Sequence, residues 1–519
     1  MEAIGYAYLI EAHRLAVLPL PVICVISDAL PDRRTRDLGG RVYQEFARAY
    51  QPEPSTVAHL RFALRYEGLN LELLAQLFDR MDGQDIRDAV VKQPRSVAAR
   101  RLGFLYEWLT GKPLDIPKNV LSAIRRAQYS PVLDETLQFG FAPDSSQRNE
   151  KYRVIFNLPG TREFCPLVRK VPHLTEMVEK SLKARTLSTL EKYDRSLVQR
   201  AAGFLYLKET HSSFEVEREK PGASKAQRFA DLLRDAELGK PLSEERLVEL
   251  QNAVVDPRFR EAAYRTEQNW VGTDLGHRAR VDFVPPRPED VRSLMEGLIA
   301  LAQRVRAQPE EIDAVVAATA ISFGFVFIHP FMDGNGRLHR YLIHEVLSAA
   351  GFTPKGIILP VSAVILSSLD KYKGALEAYS SQLRDRTSYD PAVPTVPAVG
   401  NDAIHYRYFD ATDQASFLYD ALERTVDHDL DEEIYYLMCF DRAQRALSEI
   451  SDWPPHSLET FIRVVHQNTD QLSINKRKSH FEWMTDEEVS RFESIVARSF
   501  ALDIDPEDII PSSKKGGVS

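Results

Sequence analysis

The chain has 519 residues, 44% hydrophobic and 27% charged, ordinary globular values that exclude wholesale disorder. Its net charge of −9 divides into about +6 over residues 1–200 and −15 over 201–519, and neither half is the concentrated basic stripe of a nucleic-acid binder. Cys24, Cys165 and Cys439 are too scattered for a disulfide framework or a CxxC metal site, and the apolar run 15–26, with Pro19 and Pro21, is too short to span a bilayer. The first residues lack a basic segment followed by an apolar core, so the expectation is a cytoplasmic protein with no membrane partner. At roughly 150 residues per domain, the length suggests three to four domains or one large multi-lobed body.

In chain order, residues 1 to 130 read as short helices broken by Pro and Gly, with apolar residues at three- and four-residue spacing over 42–50, 71–80 and 97–109. Residues 152–155 read as a short strand running into the turn Asn157-Leu158-Pro159-Gly160, and 174–207 as mostly helical. The segment from Gln268 to Val284 holds Gly272, Gly276 and alternating Val281 and Phe283, and predicts a hairpin ahead of a helix with an acidic first turn near Pro288. The Pro-rich tract 390–397 reads as a linker, followed by helices over 414–450, 458–467 and 486–500 and a frayed end at 512–519. The expected fold class is mainly α. The boundaries drawn from composition are 1–195, 196–388, a linker at 389–402, and a helical extension over 403–510.

Residues 310–351 carry the chemistry. A helix over 311–327 is apolar almost all round, with Phe323, Phe325 and Phe327, and should be buried in the middle of its domain. It should stop near His329, because Pro330 disfavours helical backbone in the residue before it. Asp333-Gly334-Asn335-Gly336 then forms a loop tolerant of positive φ, and a second helix runs from Arg337 to Gly351, the usual C-terminal stop. A Gly-rich entry into a helix N-terminus aims free N–H groups and the positive dipole end at one spot, which is an anion site. Arg337 and Arg340 stand three apart, so both guanidiniums reach the same polyphosphate, and Asp333 offers a hard oxygen to Mg²⁺ shared with phosphate. His329, with an ordinary pKa of about 6.5, suits a general base. Together these are parts for phosphoryl or nucleotidyl transfer.

The run His329-Pro330-Phe331-Met332-Asp333-Gly334-Asn335-Gly336-Arg337-Leu338-His339-Arg340 resembles the complete HPFxDGNGRxxR motif of the Fic family. That resemblance implies a Fic-type helical core with a β-hairpin flap, transferring AMP from ATP, with Mg²⁺, to a Ser, Thr or Tyr hydroxyl of a protein. By the same resemblance, His329 deprotonates the target, Asp333 holds Mg²⁺, and Pro330 and Phe331 anchor the loop. Gly334, Asn335 and Gly336 cradle phosphates, and Arg337 and Arg340 bind the β and γ groups. The segment from Gln268 to Val284 stands where the family carries the flap that docks an extended target strand. Upstream, Ser213 and Glu217 resemble the family's (S/T)xxxE(G/N) inhibitory motif, in a helix over about 208–220, which implies a pairing of Glu217 with Arg340. Arg218 stands where the family has Gly or Asn, so Glu215 and Glu219 stay open as the partner.

The resemblance covers about 200–385. Residues 157–160 and 164–166, and the tail with Lys476-Arg477-Lys478, look like flanks of larger bacterial Fic proteins, without a partner assigned to them. His339 and His344 lack HExxH spacing and read as structural. The leading expectation is a self-inhibited adenylyltransferase that modifies a target, with self-modification left open. Removal of AMP by the same site, and a nucleotide-sensing regulator that binds DNA or a protein partner, are the alternatives. Sequence leaves the target protein, the oligomeric state and the activating signal open.

Overall fold

The computed structural model describes residues 2–501, apart from 29, 39–40, 194, 237–239, 277–278 and 455. The expected frayed end at 512–519 and the last residues of the C-terminal extension lie outside the described residues. The fold is mainly helical with small sheets. Among the described residues no helix is long and apolar enough to cross a membrane, and Cys24, Cys165 and Cys439 are buried free thiols.

Two compact units form, Met1–Thr186 with Tyr206–Glu423, and Leu187–Leu205 with Arg424–Ser519. Neither division falls at the composition-based boundaries of 195 or 402. The physical reason is side-chain packing that composition does not reveal. In the first unit, the Phe164 ring lies so close to the helices Pro288–Ala307 and Ala314–Ile328 that only glycine fits opposite it. A Cβ on Gly297 would sit 2.6 Å from the Phe164 Cβ, and one on Gly324 would sit 2.3 Å from its Cζ. The Pro-rich tract is likewise closed on itself by a bridge between Ser388 and Val399, and the chain beyond it returns to this unit: Cys165 N–H donates to Arg407 O at 2.8 Å and the Tyr406 hydroxyl to Val284 O at 2.6 Å.

The first unit opens on a four-stranded sheet in which Val22–Ile26 pairs in parallel with Arg41–Phe46, flanked by Glu2–Ala3 and Arg33–Leu38. This places strands in the stretch 1–130, read above as short helices, and corrects the helix expected over 42–50, which is the strand Arg41–Phe46 followed by one 3₁₀ turn, Arg48–Tyr50. Val42, Tyr43 and Phe46 satisfy a helical spacing, but they are β-branched or aromatic and gain a ladder from a strand far upstream. The helices Leu71–Arg80 and Val97–Thr110 form where the apolar spacing puts them, because each also carries a side-chain N-cap, Asn70 and Ser96. Their inner faces, with Leu74, Leu77, Phe78, Leu102 and Leu105, close one core.

The helices Ala314–Ile328 and Asn335–Ala349 sit in the middle of this unit. The first is buried on nearly every side, as its all-round apolar sequence requires, and Asp313 caps it by accepting from Val315 and Val316 N–H at 3.0 and 2.9 Å. The predicted hairpin is present as Val271–Asp274 paired antiparallel with Ala279–Phe283; residues 277–278 at its tip lie outside the described residues.

The second unit packs Leu430–Ile450, Ser457–Gln467 and Asp486–Phe500 around Leu447, Phe461, Ile462, Phe492 and Ile495. A reciprocal cap between Thr485 and Glu488 starts the helix Asp486–Phe500. The Lys476-Arg477-Lys478 run lies on a short helix, Ile474–His480, that the spacing did not reveal.

Candidate active site

Three elements of the first unit converge on the loop 329–334. His329 is the C-cap residue of Ala314–Ile328 and takes left-handed backbone, φ 52° and ψ 60°. That conformation costs an ordinary residue about 1–2 kcal/mol, so the surroundings must enforce it. They do so through Arg265, whose Nε donates to His329 O at 2.9 Å and whose backbone N–H donates to Pro330 O at 2.8 Å. The His329 ring hydrogen-bonds Val326 O through Nδ1 at 3.0 Å. A carbonyl can only accept, so Nδ1 carries the proton and the neutral ring keeps Nε2 as a lone-pair acceptor. Burial pushes the imidazole pKa down to about 4, against Glu217 and Asp333, which favour its protonated form, while Arg265 adds to the depression. A neutral imidazole with an open Nε2 is the state a general base needs.

Phe331 is fully buried against Tyr264 and Phe325, ring centroids 5.7 and 6.4 Å away, and pins the loop into the core. Asn335 clamps the same turn: its Oδ1 accepts from Phe331 N–H at 3.1 Å and its Nδ2 donates to Phe331 O at 2.7 Å. Gly334, at φ 92°, is the N-cap of Asn335–Ala349, and no side chain caps this helix start. Among the described residues its first N–H groups thus lack a side-chain cap, an arrangement that suits an anion.

Both motif arginines are buried and hold carboxylates. Arg340, 1% exposed, donates from Nη2 to Glu217 Oε1 at 2.9 Å and to Ser213 O at 2.6 Å, and from Nε to Ser213 Oγ at 2.9 Å. Its Nη1 has no partner among the described residues. Arg337 donates from Nη1 to Glu219 Oε2 at 2.7 Å and to Val254 O at 2.9 Å, and from Nη2 to Asp333 Oδ1 at 2.8 Å. Desolvation opposes charge on Glu217, but Arg340, then Arg337 and His329, outweigh it and hold its carboxyl below the usual range. A Cβ on Gly336 would stand 2.1 Å from Glu217 Oε1, so this carboxylate lies directly on the glycine at the helix start.

The structure thus brings Glu217 to Arg340 and Glu219 to Arg337; Glu215 is exposed on the last turn and makes neither contact. Arg218 resolves the mismatch with Gly or Asn by adopting their backbone: φ is 58°, and Glu219 N–H closes the helix end onto Phe214 O at 3.0 Å. Glu219 also pairs with Lys225, whose ammonium lies over the Phe214 ring.

His339 and His344 are buried away from this surface. His339 bonds Ser322 O through Nδ1 at 2.8 Å, and burial pushes its pKa down to about 3. His344 bonds Glu209 at 2.7 Å. Arg265 and Glu219 are participants that the motif did not single out. For Glu219 the signal was present in the acidic run, whereas Arg265 carries no spacing signal.

Asp333 is the one carboxylate on the loop, its side chain 43% exposed, and no cluster of three or more metal-ligating side chains occurs among the described residues. That donor set fits a Mg²⁺ held mostly by phosphate and water rather than an all-protein cage.

Comparison with known proteins finds similar chains and structures. The protein adenylyltransferase Fic of Nematostella vectensis is 38% identical over 73 residues, 14% of this chain and 17% of that protein. That of Drosophila grimshawi is 35% identical over 106 residues, 20% of this chain and 19% of that protein. The chain therefore spans less than a fifth of the length of these curated relatives. A Fic family protein from Desulfovibrio desulfuricans G20 superposes with a TM-score of 0.36 at 17% identity, covering 61% of this chain and 91% of that one. A Fic domain containing signaling protein from Bacteroides thetaiotaomicron VPI-5482 gives 0.34 at 20% identity, covering 48% and 95%. Ser213, Glu217 and Glu219 stand upstream of the family match: it is residues 241–347, with the loop and both arginines, that match the Fic/DOC family.

Proposed function

We propose that this protein transfers AMP from ATP to a Ser, Thr or Tyr hydroxyl of a protein, releasing diphosphate, and that Glu217 and Glu219 restrain it. The observation that carries the reading is the pair of carboxylates seated on Arg340 and Arg337 at an uncapped, Gly-rich helix start. Two buried guanidiniums that hold anions here are built to hold a phosphate chain.

In this reading the target hydroxyl oxygen attacks the α-phosphorus, its proton passes to His329 Nε2, and the bond to diphosphate breaks. Asn335 and Phe331 keep the loop rigid, the N–H groups of Gly336 and Arg337 face the phosphates, and Arg337 and Arg340 take the charge of the leaving diphosphate. Asp333 would hold Mg²⁺, which supplies charge neutralisation for the phosphates when bound. The exposed strand Val271–Asp274 offers an edge that is unpaired among the described residues, on which an extended target segment, of a partner or of a second copy, gains main-chain hydrogen bonds. Glu217 over Gly336 occupies space a terminal phosphate needs, which is the restraint; the same carboxylate, 40% exposed, also stands where it could orient a water for AMP removal.

The test is transfer of label from α-³²P-ATP with Mg²⁺ by wild type, Glu217→Gly and Glu217→Gly/His329→Ala. Label should appear with the single variant and vanish with the double. No label from any variant that still binds ATP overturns the transfer reading and moves the weight to AMP removal or nucleotide sensing.

A further inference from the structure

Arg265 is 4% exposed, yet its guanidinium meets no carboxylate within ion-pair distance among the described residues. Its donors go to main-chain carbonyls instead: Nε to His329 O at 2.9 Å, Nη1 to Glu267 O at 2.9 Å and Nη2 to Pro286 O at 2.6 Å. Its own N–H takes Pro330 O at 2.8 Å. These acceptors are not a random set. Glu267 precedes the first hairpin strand, Val271–Asp274, and Pro286 follows the second, Ala279–Phe283, while His329 and Pro330 open the catalytic loop. One planar group therefore ties both feet of the hairpin to the residue bearing the proposed base. Asn269 adds a parallel tie, Nδ2 to Phe331 O at 2.9 Å.

A buried charge solvated only by carbonyls is an expensive way to fill a core, and an apolar side chain would fill it more cheaply. What the guanidinium supplies is geometry: a rigid fork that fixes three carbonyls in one plane, which neither Lys nor Met can reproduce. It also stands at the C-terminal end of Ala314–Ile328, where a positive charge is favourable and faces the His329 ring. The other charged groups facing that ring are Glu217, from the end of the helix Arg195–Val216, and Asp333, from the loop.

We propose that Arg265 is a positioning residue that holds the docking hairpin and the main chain of His329 in one register, so that a target strand added to the hairpin presents its hydroxyl to Nε2. This rests on the transfer reading above, but its physical content does not depend on turnover.

The experiment compares Arg265→Met and Arg265→Lys in the full chain carrying Glu217→Gly. Three quantities are read: amide hydrogen exchange of the peptide over 271–283, the His329 titration by ¹³Cε1 NMR (assigned by its loss in His329→Gln), and label from α-³²P-ATP. Met should speed hairpin exchange at least about tenfold, move the His329 titration up from about 4 towards its ordinary value, and shift the acid limb of labelling upwards with it. Lys keeps the charge but not the fork, so the titration should stay near the parent's while hairpin exchange still quickens. Parent-like exchange and titration in the Met variant, with only a lower melting temperature, would overturn the proposal. If Met does not fold, Lys decides: unchanged hairpin exchange overturns it. If the Glu217→Gly parent gives no label at all, the transfer reading falls, and exchange and titration still decide the role of Arg265.

Discussion

Arg218 makes the proposed restraint measurable. Its side chain is exposed, so its contribution is the left-handed backbone that closes the helix Arg195–Val216 and aims Glu217 and Glu219 at the two arginines. Holding a non-glycine residue there costs about 1 kcal/mol or somewhat more. Arg218→Gly removes that strain, less what glycine adds to the entropy of the unfolded chain, so a net gain of about 0.5–1 kcal/mol is expected for the closed cap. If releasing the carboxylates undoes the cap, the same energy deepens the restraint, and basal AMP transfer falls about two- to fivefold. Arg218→Asn should act in the same direction more weakly, and Arg218→Val, β-branched and poorly tolerated at positive φ, should raise transfer. The assay is initial-rate labelling from α-³²P-ATP across the series, beside melting temperatures, which should rise by roughly 1 °C for glycine in a unit of this size. The order Val above Arg above Asn and Gly is required. Glycine and valine moving the rate in the same direction, or a melting shift with no change in rate, would refute the coupling of the cap to the restraint.

Because each arginine holds its own carboxylate, Glu217→Gly leaves Arg337 occupied and Glu219→Gln leaves Arg340 occupied. Each single change should raise labelling by several-fold to about tenfold, and the double variant should exceed both; a double variant no better than Glu217→Gly would remove Glu219 from the restraint. His329→Ala should lower transfer by about 10²–10⁴-fold while ATP binding by calorimetry stays within a few-fold of the parent; near-parent transfer would end the base assignment. The pH dependence follows from burial. With a folded-state pKa of about 4, His329 stays neutral well below its ordinary value, so transfer by Glu217→Gly should hold down to about pH 5 and fall only beyond it. The unfolded chain binds the proton first, so stability should decline as pH falls from about 6.5 through 4, checked by urea midpoints.

What the sequence made legible was local. The all-round apolar run that became Ala314–Ile328, the loop that Pro330 and the glycines enforce, and the helix carrying Arg337 and Arg340 follow from neighbours in the chain. The strand Arg41–Phe46 was misread because Val42 and Phe46, four apart, fit both periods, and the deciding partner, Val22–Ile26, is a parallel strand with no local signature. The division into units was hidden for a similar reason: a ring at Phe164 and glycines at 297 and 324 read as unrelated until they meet. Arg265 was invisible because its partners are carbonyls, which every residue has. Arg218 was read as a departure from pattern, yet the backbone conformation, not the residue type, is what the position requires.

The contact between Glu217 and Gly336 has a genetic consequence. The missing side chain at 336 makes room for the Glu217 oxygen and, in the proposed reading, for the phosphate that would replace it, so a substitution there should not separate restraint from turnover. Variants that lose restraint yet keep turnover should therefore map to the segment 213–225 and its anchors, including Glu209 beneath His344, and not to the loop. A selection for unrestrained transfer in living cells would test this by where its escape mutations fall.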